Sequence, residues 1–239
     1  MNRRLASVAA LALLASLTAC GLDDPADKKP APVPSATTPT VGPEEATGSM
    51  FTDNGTFMSH TTIDGIDFVL TMYPTDATPY THEWYPKGDK FFTMSMTAYD
   101  TDRDERDPYA TKRMVFFERL TITSVAVDAD GETVGLEPYR LDEQPARITF
   151  DPEPLADPQY GMVITSPKGA FELRDQVIGD LDPSVRMVTL QFRADVWAQN
   201  TAGSAELNRH TIDVEIPIVI FDSDKETTNV NEDAPEERD

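Results

Sequence analysis

The chain has 239 residues, with 42 Asp and Glu against 20 Lys and Arg, a formal net charge of -22 and one cysteine. This acidic balance argues against a nucleic-acid partner and against adhesion to anionic lipid headgroups, because both would repel the chain. It favours solubility, cation binding or a basic partner, and the simplest interpretation is a solvated acidic surface. A single cysteine also excludes a disulfide within the chain.

Residues 1–19 have the three parts of an export signal. Asn2-Arg3-Arg4 is a short positive region, Leu5 to Leu17 is apolar, and small residues precede Cys20. The apolar run is shorter than the roughly 20 residues that a membrane-spanning helix needs. We therefore predict a signal peptide over residues 1–19.

The residues Leu17-Thr18-Ala19-Cys20 resemble the lipobox of bacterial lipoproteins, Leu-(Ser/Thr/Ala)-(Gly/Ala)-Cys. The resemblance implies that the Cys20 thiol receives a diacylglycerol and that Cys20 becomes the mature N-terminus. Two or three acyl chains, such as palmitate, would make a stable anchor. By the same resemblance, Gly21 favours the outer membrane in a Gram-negative cell, whereas a Gram-positive cell would hold the chain on the outer face of its cell membrane. The alternative is an ordinary signal peptide that ends in a chance cysteine.

Residues 20–49 are predicted to form a disordered tether. They combine small and charged residues with repeated prolines and show no apolar period, so they cannot bury a core. These prolines are Pro25, Pro30, Pro32, Pro34, Pro39 and Pro43. Because extended Pro-rich chain rises about 3.1 Å per residue, the tether could hold a folded domain up to roughly 90 Å from the bilayer.

From Thr56 onward, apolar residues recur at every second position, which is the pattern of half-buried strands. Asp64-Gly65 between two alternating runs predicts a β-hairpin with a two-residue turn. That turn predicts a register in which Ile63 pairs with Ile66, Thr61 with Phe68, and Phe57 with Met72. One face of the hairpin is then apolar, and His60 and Asp67 point away from it.

The rest of the chain continues as extended runs without a helical period. The expected strands are Phe91–Tyr99, Arg113–Val127, Thr133–Leu136, Arg147–Phe150, Tyr160–Thr165, Ala170–Leu173, Val188–Val196 and Ile212–Ile220. A phase shift in the second run predicts a bulge near Ser124. The last two runs are expected to pair antiparallel, and Pro217 indicates an edge or bulged strand because it lacks an N–H donor.

Many strands with turn signals predict an all-β domain over residues 50–222, as an immunoglobulin-like antiparallel β-sandwich or a partly open barrel. The immunoglobulin likeness is architectural only, since the Cys…Trp…Cys pattern is missing from the sequence. Residues 223–239 are acidic without an apolar period, which predicts a disordered C-terminal tail.

An acidic loop follows the second predicted strand. Its carboxylates at nearly alternate positions could converge on one hard cation such as calcium. They are Asp100, Asp102, Asp104 and Asp107. Glu105 and Thr111 stand where an EF-hand would need Gly and Glu, so the loop is not that motif. Arg103 and Arg106 leave a second interpretation, a solvated loop with local ion pairs. No cofactor other than calcium is expected.

A Pro-flanked loop holds His82, Trp84 and Tyr85. Clustered aromatic residues on a loop can form a binding patch, since such residues dominate the energetics of interfaces. The alternative is that they pack over the end of the core. His82 is not spaced from His60 or His210 in the way that a zinc site on one helix or hairpin requires.

Catalysis finds little support in the sequence, which has no Gly-x-Ser-x-Gly motif. We expect a membrane-anchored cell-envelope lipoprotein that acts as a non-catalytic binding or assembly module, with a protein or glycan partner and no nucleic acid. The alternatives are a carboxylate-based carbohydrate-active enzyme and a calcium-dependent adhesin or solute-binding lipoprotein. Two facing carboxylates in a pocket would favour the enzyme, and an open strand edge would favour the binding module.

Overall fold

The computed structural model describes residues 49–135 and 137–230. The predicted signal peptide, Cys20, the tether up to residue 48 and the end of the predicted tail lie outside the described residues. Within them, the elements in chain order are α1 (Met50–Asn54), β1 (Phe57–Ile63), β2 (Ile66–Pro74), β3 (Lys90–Asp100), β4 (Val115–Val127), β5 (Leu141–Glu143), α2 (Pro145–Ile148), β6 (Ala156–Asp157), β7 (Gly161–Val163), β8 (Phe171–Ile178), β9 (Met187–Gln199) and β10 (Leu207–Val219).

The strands form two sheets. The four-stranded sheet has the order β1-β2-β3-β8, and the six-stranded sheet has the order β10-β9-β4-β7-β6, with β5 paired to β4. All pairings between these strands are antiparallel. The all-β prediction is therefore confirmed. In the described part of the chain, the helices are too short to cross a membrane.

The first hairpin has the predicted register. Ile63 pairs with Ile66, Thr61 with Phe68, and Phe57 with Met72. Asp64 and Gly65 both have positive φ, 51° and 73°, as a two-residue turn that follows the strand twist requires. On the outer face, His60 Nδ1 lies 2.9 Å from Asp67 Oδ2, so the polar face is also as predicted.

Both sheets contribute to one apolar core, because alternate side chains of each strand point inward. Met94 and Met96 of β3 are fully buried, as are Leu190 and Phe192 of β9 to within 1% of their surface. Phe117 of β4 meets Phe171 of β8 edge to face, with ring centroids 5.2 Å apart. The core therefore holds the four-stranded and six-stranded sheets together.

Two local strand predictions are wrong. The run Arg147–Phe150 is not a strand, because the chain forms the single helical turn α2 there, with Pro145 at its first position. Proline suits that position, since its missing N–H would have no partner in the helix. Thr133 forms only an isolated bridge with Val127, so the strand predicted from Thr133 does not form.

The bulge predicted near Ser124 lies elsewhere. Burial alternates without a break through the end of β4, and Ser124 points inward. Its hydroxyl donates to the Tyr139 carbonyl at 2.7 Å and accepts from the Tyr139 N–H at 2.8 Å, which satisfies it inside the core. The actual register shift against β9 falls between Phe117 and Arg119. A polar residue in an inward position thus produced the misleading phase shift.

Residues after β10 pack on the domain up to the last described residue. Thr227 is buried, its N–H donates to the Lys87 carbonyl at 2.9 Å, and its hydroxyl accepts from the Tyr85 N–H at 2.9 Å. Val230 donates its N–H to Ala77 at 2.9 Å. This packing differs from the expected unstructured tail beginning at residue 223, because backbone and hydroxyl hydrogen bonds hold the segment.

Candidate functional site

The predicted acidic loop meets a buried arginine, Arg113, which sequence reasoning missed. Arg113 precedes β4, and its guanidinium lies 2.6 Å from Asp100 at the end of β3. The guanidinium also donates to the carbonyls of Asp64 and Gly65, at 2.6 and 2.8 Å, in the first hairpin turn. One side chain therefore joins β3, β4 and the β1–β2 turn.

The electrostatics of Asp100 follow from this contact. Burial by itself would raise the pKa of Asp100, but hydrogen bonds from the Arg113 side chain and backbone, together with its charge, lower it below the usual value. The same hydrogen bond raises the pKa of Arg113. Both groups therefore remain charged, as an ion pair inside the protein needs.

The carboxylates predicted to bind calcium do not converge. Asp102 reaches Arg113 at 3.1 Å, whereas Asp104 accepts from the Arg106 N–H at 3.0 Å and Asp107 accepts from the Asp104 N–H at 3.1 Å. Among the described residues, no group of three or more His, Cys, Asp and Glu side chains is placed to hold a metal ion. Arg113 supplies the positive charge around which Asp100 and Asp102 gather. In the structure, therefore, the four carboxylates are not gathered into one site.

A small depression of about 200 Å³ lies beside Arg113. It includes Asp64, Gln199, Asn208 and His210, and His210 Nε2 lies 3.6 Å from Asp64 Oδ2. The Arg113 N–H groups beside this depression already donate to the carbonyls of Asp64 and Gly65 and to the Asp100 carboxylate. The arrangement joins loops at one end of the domain.

The three residues of the predicted aromatic patch lie in different environments. Trp84 is fully buried, donates Nε1–H to the Thr78 carbonyl at 3.1 Å, and packs on Phe51 with ring centroids 5.2 Å apart. His82 is exposed and Tyr85 is half-buried. Of the two alternatives, packing over the end of the core is correct for Trp84. The three side chains do not share one accessible surface.

Lys90 is a second buried cation that sequence reasoning missed. It is fully buried at the start of β3, and its Nζ donates to the carbonyls of Tyr85, Pro86 and Gly88 at 3.1, 3.2 and 2.6 Å. Burial lowers the pKa of Lys90 to about 8, against the opposing charge of Asp180 and Asp89. The only available signal was a charged residue directly before the apolar run of β3. Lys90 holds the loop that carries Trp84.

The carboxyl groups with shifted pKa values do not support acid catalysis. The pKa of Asp142 is lowered by its hydrogen bond from Arg119, and that of Asp182 by hydrogen bonds from Ser184. The pKa of Asp100 is lowered as well. The general acid of a glycoside hydrolase needs a raised pKa, so none of these three carboxyl groups suits that role.

The outer edge of β10 is the feature with a binding geometry. The backbone N–H and C=O groups of even-numbered β10 residues point towards β9. This follows from the two ends of the pair, where the Ile220 N–H donates to the Arg186 carbonyl and the Asn200 N–H donates to the Glu206 carbonyl. Odd-numbered residues of β10 therefore direct their N–H and C=O groups to the open edge. Pro217 occupies such a position, so its missing N–H costs no ladder bond, and the prediction of an edge strand is confirmed.

Only one end of this edge is covered in the described part of the chain. Ser49 Oγ donates to the Pro217 carbonyl at 2.6 Å, and the Val219 N–H donates to Thr52 Oγ1 at 3.1 Å. On its outer side, the stretch from Arg209 to Glu215 pairs with no strand among the described residues, whereas its inner side pairs with β9. Its edge-facing residues, which are also exposed, are Arg209, Thr211, Asp213 and Glu215. We call residues 209–215 the open edge.

No protein-family profile matches this chain, and no curated protein matches it either.

Proposed function

We propose that this chain is a cell-envelope lipoprotein, anchored through lipid on Cys20, whose folded domain is a non-catalytic binding or assembly module. The export signal of residues 1–19 and the lipobox that ends at Cys20 support the anchor. The Pro-rich residues 20–49 support a tether that holds the domain off the bilayer. The location is the outer membrane in a Gram-negative cell and the outer face of the cell membrane in a Gram-positive cell.

The domain, residues 50–222 with the packed segment to residue 230, is proposed to be an immunoglobulin-like β-sandwich. Two antiparallel sheets on a shared core support this architecture. Loops from both sheets meet at the end that Arg113 joins, as loops do at the ends of such sandwiches. The likeness concerns architecture and carries no function from that fold.

The observation that carries the proposal is the open edge of β10. An edge strand normally carries protection such as Pro, Lys, a bulge or a covering element, because its unpaired backbone groups attract other strands. Here Pro217 and α1 cover one end, whereas residues 209–215 keep unpaired outer backbone groups and are flanked only by the charged side chains Arg209, Asp213 and Glu215. An added strand would gain main-chain hydrogen bonds for affinity and side-chain contacts for specificity.

The edge favours a protein partner over a glycan, because its unused groups are regularly spaced peptide donors and acceptors. The net charge of -22 favours a partner that is not itself strongly acidic, and it argues against nucleic acid. The partner is therefore proposed to be an extended protein segment within the envelope.

The test is photocrosslinking in the envelope of cells that make the full-length lipidated protein. A photoreactive amino acid replaces Asp213 on the open edge, and the matched control carries it at Glu153, which is also exposed but lies outside β10. We expect a covalent adduct with an envelope protein from position 213 and none from position 153. The same yield at both positions, or no adduct at position 213, would reject the open edge as the binding site.

A further inference from the structure

We propose that a polar cavity beside Glu118 of β4 binds a sugar ring, which gives the domain a glycan-binding site separate from the open edge. The cavity has a volume of about 300 Å³, at the lower end of the range of roughly 300–1,000 Å³ typical of small-ligand sites. Its polar lining comes from Glu118, from Gln144 and Arg147 at α2, and from Asp157 and Gln159 at the turn between β6 and β7.

The cavity lies where β4 changes partners along one side. β7 pairs with Phe116 and Phe117, and β5 pairs with residues 120–122, so no strand among the described residues pairs with Glu118 on that side. Glu118 is also the extra residue at the register shift against β9. A bulge of this kind re-aims a side chain, and bulges are frequent next to functional sites.

The core fixes both walls of the cavity. Pro145 is buried and Ile148 packs against the core, whereas Arg147 of the same helical turn is exposed. On the other side, Gly161 has a φ of 98° and lies so close to the Phe117 carbonyl that a Cβ would not fit between them. The cavity therefore exists before a ligand binds, which lowers the cost of ordering it.

Three long side chains at this cavity have no protein partner. The Arg147 guanidinium and the side-chain amides of Gln144 and Gln159 make no hydrogen bond or ion pair within the described part of the chain. All three residues are exposed. They offer a set of N–H donors and two amide oxygens, which a ligand can use without breaking a contact of the protein.

An aromatic cluster borders the cavity through Glu118. Glu118 Oε2 accepts from Trp197 Nε1 at 2.8 Å and from Arg209 Nε at 2.9 Å, which leaves Oε1 for a ligand. Tyr160, in the turn between β6 and β7, meets Trp197 edge to face with ring centroids 5.4 Å apart. Phe116 is buried beneath Tyr160, with centroids 5.8 Å apart. Trp197 and Tyr160 are only half-buried, so part of each ring contacts solvent.

These groups favour a neutral ligand that is rich in hydroxyl groups. A sugar hydroxyl both donates and accepts, so adjacent hydroxyls can bond the Arg147 guanidinium and the Glu118 carboxylate together. The C–H groups on one face of a pyranose can pack on an aromatic ring, whose face carries negative potential. Glu118, Asp157 and the net charge of -22 repel phosphate and other anions, while Arg147 repels cations.

The experiment begins with an array of immobilised tetrasaccharides and the full-length Cys20→Ser chain. The neutral probes are chitotetraose, maltotetraose and cellotetraose, and the acidic probe is tetragalacturonate. We expect at least one neutral probe to bind and the acidic probe to fail. Retention on chitin or cellulose particles without binding of free tetrasaccharides would identify the ligand as a polysaccharide surface, whereas binding of the free probe would identify a soluble sugar as sufficient.

Tryptophan fluorescence then measures the dissociation constant of the neutral probe. The chain has two tryptophans, and Trp84 is fully buried in the core, so a change on titration reports on Trp197. Trp197→Phe should remove that change. Arg147→Ala should raise the dissociation constant about tenfold or more, because it removes charge-assisted hydrogen bonds to the ligand.

The matched control is Arg106→Ala. Arg106 is also exposed, and its guanidinium likewise makes no hydrogen bond or ion pair within the described residues, but it lies in the acidic loop. Its dissociation constant should equal that of the Cys20→Ser chain. Both alanine variants should keep the melting temperature of that chain, because neither arginine side chain is bonded to the fold.

The proposal is overturned if no neutral tetrasaccharide binds and no neutral polysaccharide retains the chain. Equal dissociation constants for Arg147→Ala and Arg106→Ala would reject the cavity as the site. Binding of tetragalacturonate alone would reject a neutral ligand. The photocrosslink from position 213 depends on none of these results, so failure of the glycan site and failure of the open edge are distinguishable.

Discussion

Arg113 and Asp100 form a buried ion pair, with Nη2 of the arginine 2.6 Å from Oδ1 of the aspartate and side chains that are 9% and 3% exposed. The Arg113 backbone N–H also donates to Oδ2 of the same carboxylate at 2.8 Å. The pair closes the connection between β3 and β4, across the loop in which calcium was predicted. Arg113 therefore supplies the positive charge beside the first two carboxylates of the acidic loop.

Removing one partner of this pair should destabilise the domain strongly. In Asp100→Ala the Arg113 charge stays buried without its carboxylate, so we expect the free energy of unfolding to fall by about 3–5 kcal/mol. The matched control is Arg193→Ala, whose pair with Asp213 spans 3.8 Å between side chains that are both more than half exposed. That change should cost less than about 1 kcal/mol. Urea denaturation measures both, and equal losses would contradict the structural role of the Arg113–Asp100 pair.

Calcium should not stabilise the domain. Arg113 supplies the positive charge next to Asp100 and Asp102, while Asp104 and Asp107 accept hydrogen bonds within their loop. Thermal melts with millimolar calcium and with chelator should have equal midpoints, in the wild type and in Asp102→Asn. A ligand at 100 times its dissociation constant would add about 2.7 kcal/mol. A rise in the wild-type midpoint that Asp102→Asn abolishes would restore the calcium site.

Stability should rise with pH above about pH 8 because of Lys90. Its pKa is lowered from 10.5 to about 8 in the folded chain, so between these values the unfolded chain binds more protons. Stability rises with pH wherever the unfolded state binds more protons, here by at most about 3 kcal/mol across the interval. Denaturation at pH 8 and pH 9.5 should show this rise in the wild type.

The control for the pH dependence is Lys90→Met, which keeps the length of the side chain and removes its titration. Its stability should be flat between pH 8 and pH 9.5. Higher pH is avoided because burial raises the pKa of Tyr139 and Tyr109, whose unfolded counterparts begin to titrate near pH 10. An equal rise in wild type and Lys90→Met would remove Lys90 as its cause.

Trp84 and His82 should respond differently to truncation. Trp84 is fully buried against Phe51, so Trp84→Ala should cost about 3–5 kcal/mol through lost burial and a cavity. His82 is exposed, and His82→Ala should stay within about 0.5 kcal/mol. Chemical denaturation distinguishes the two. A small effect of Trp84→Ala would contradict the burial of Trp84 in the core.

The proposed anchor predicts a change of location. Cys20→Ala removes the thiol that would carry the lipid, so the chain should move from the membrane fraction to the soluble fraction. Fractionation of cells with and without detergent measures this. Wild-type chain should need detergent for release, and a variant that still requires detergent would contradict lipidation at Cys20.

The local part of the fold was predictable from the sequence. Alternating apolar residues predicted most of the longer strands, and Asp64-Gly65 predicted the hairpin register residue by residue, because a two-residue turn leaves one way to pair its flanks. Pro217 likewise indicated the edge position of β10. The alternation of apolar residues misled where a polar residue occupies an inward position. Ser124 faces the core, and its hydroxyl donates to the Tyr139 carbonyl.

The tertiary structure alone decided the partners of the charged and aromatic side chains. Asp100 and Asp102 had the spacing of a cation site, but whether they surround calcium or an arginine depends on the path that brings Arg113 back to β3. The sequence left open whether Trp84 is exposed and gave little sign that Lys90 is buried; the loop before β3 and the segment around Thr227 enclose both. The sequence by itself determined the longer strands through local periodicity and the edge position of β10 through Pro217, whereas burial and ion pairing arise from contacts between distant residues, which periodicity does not encode.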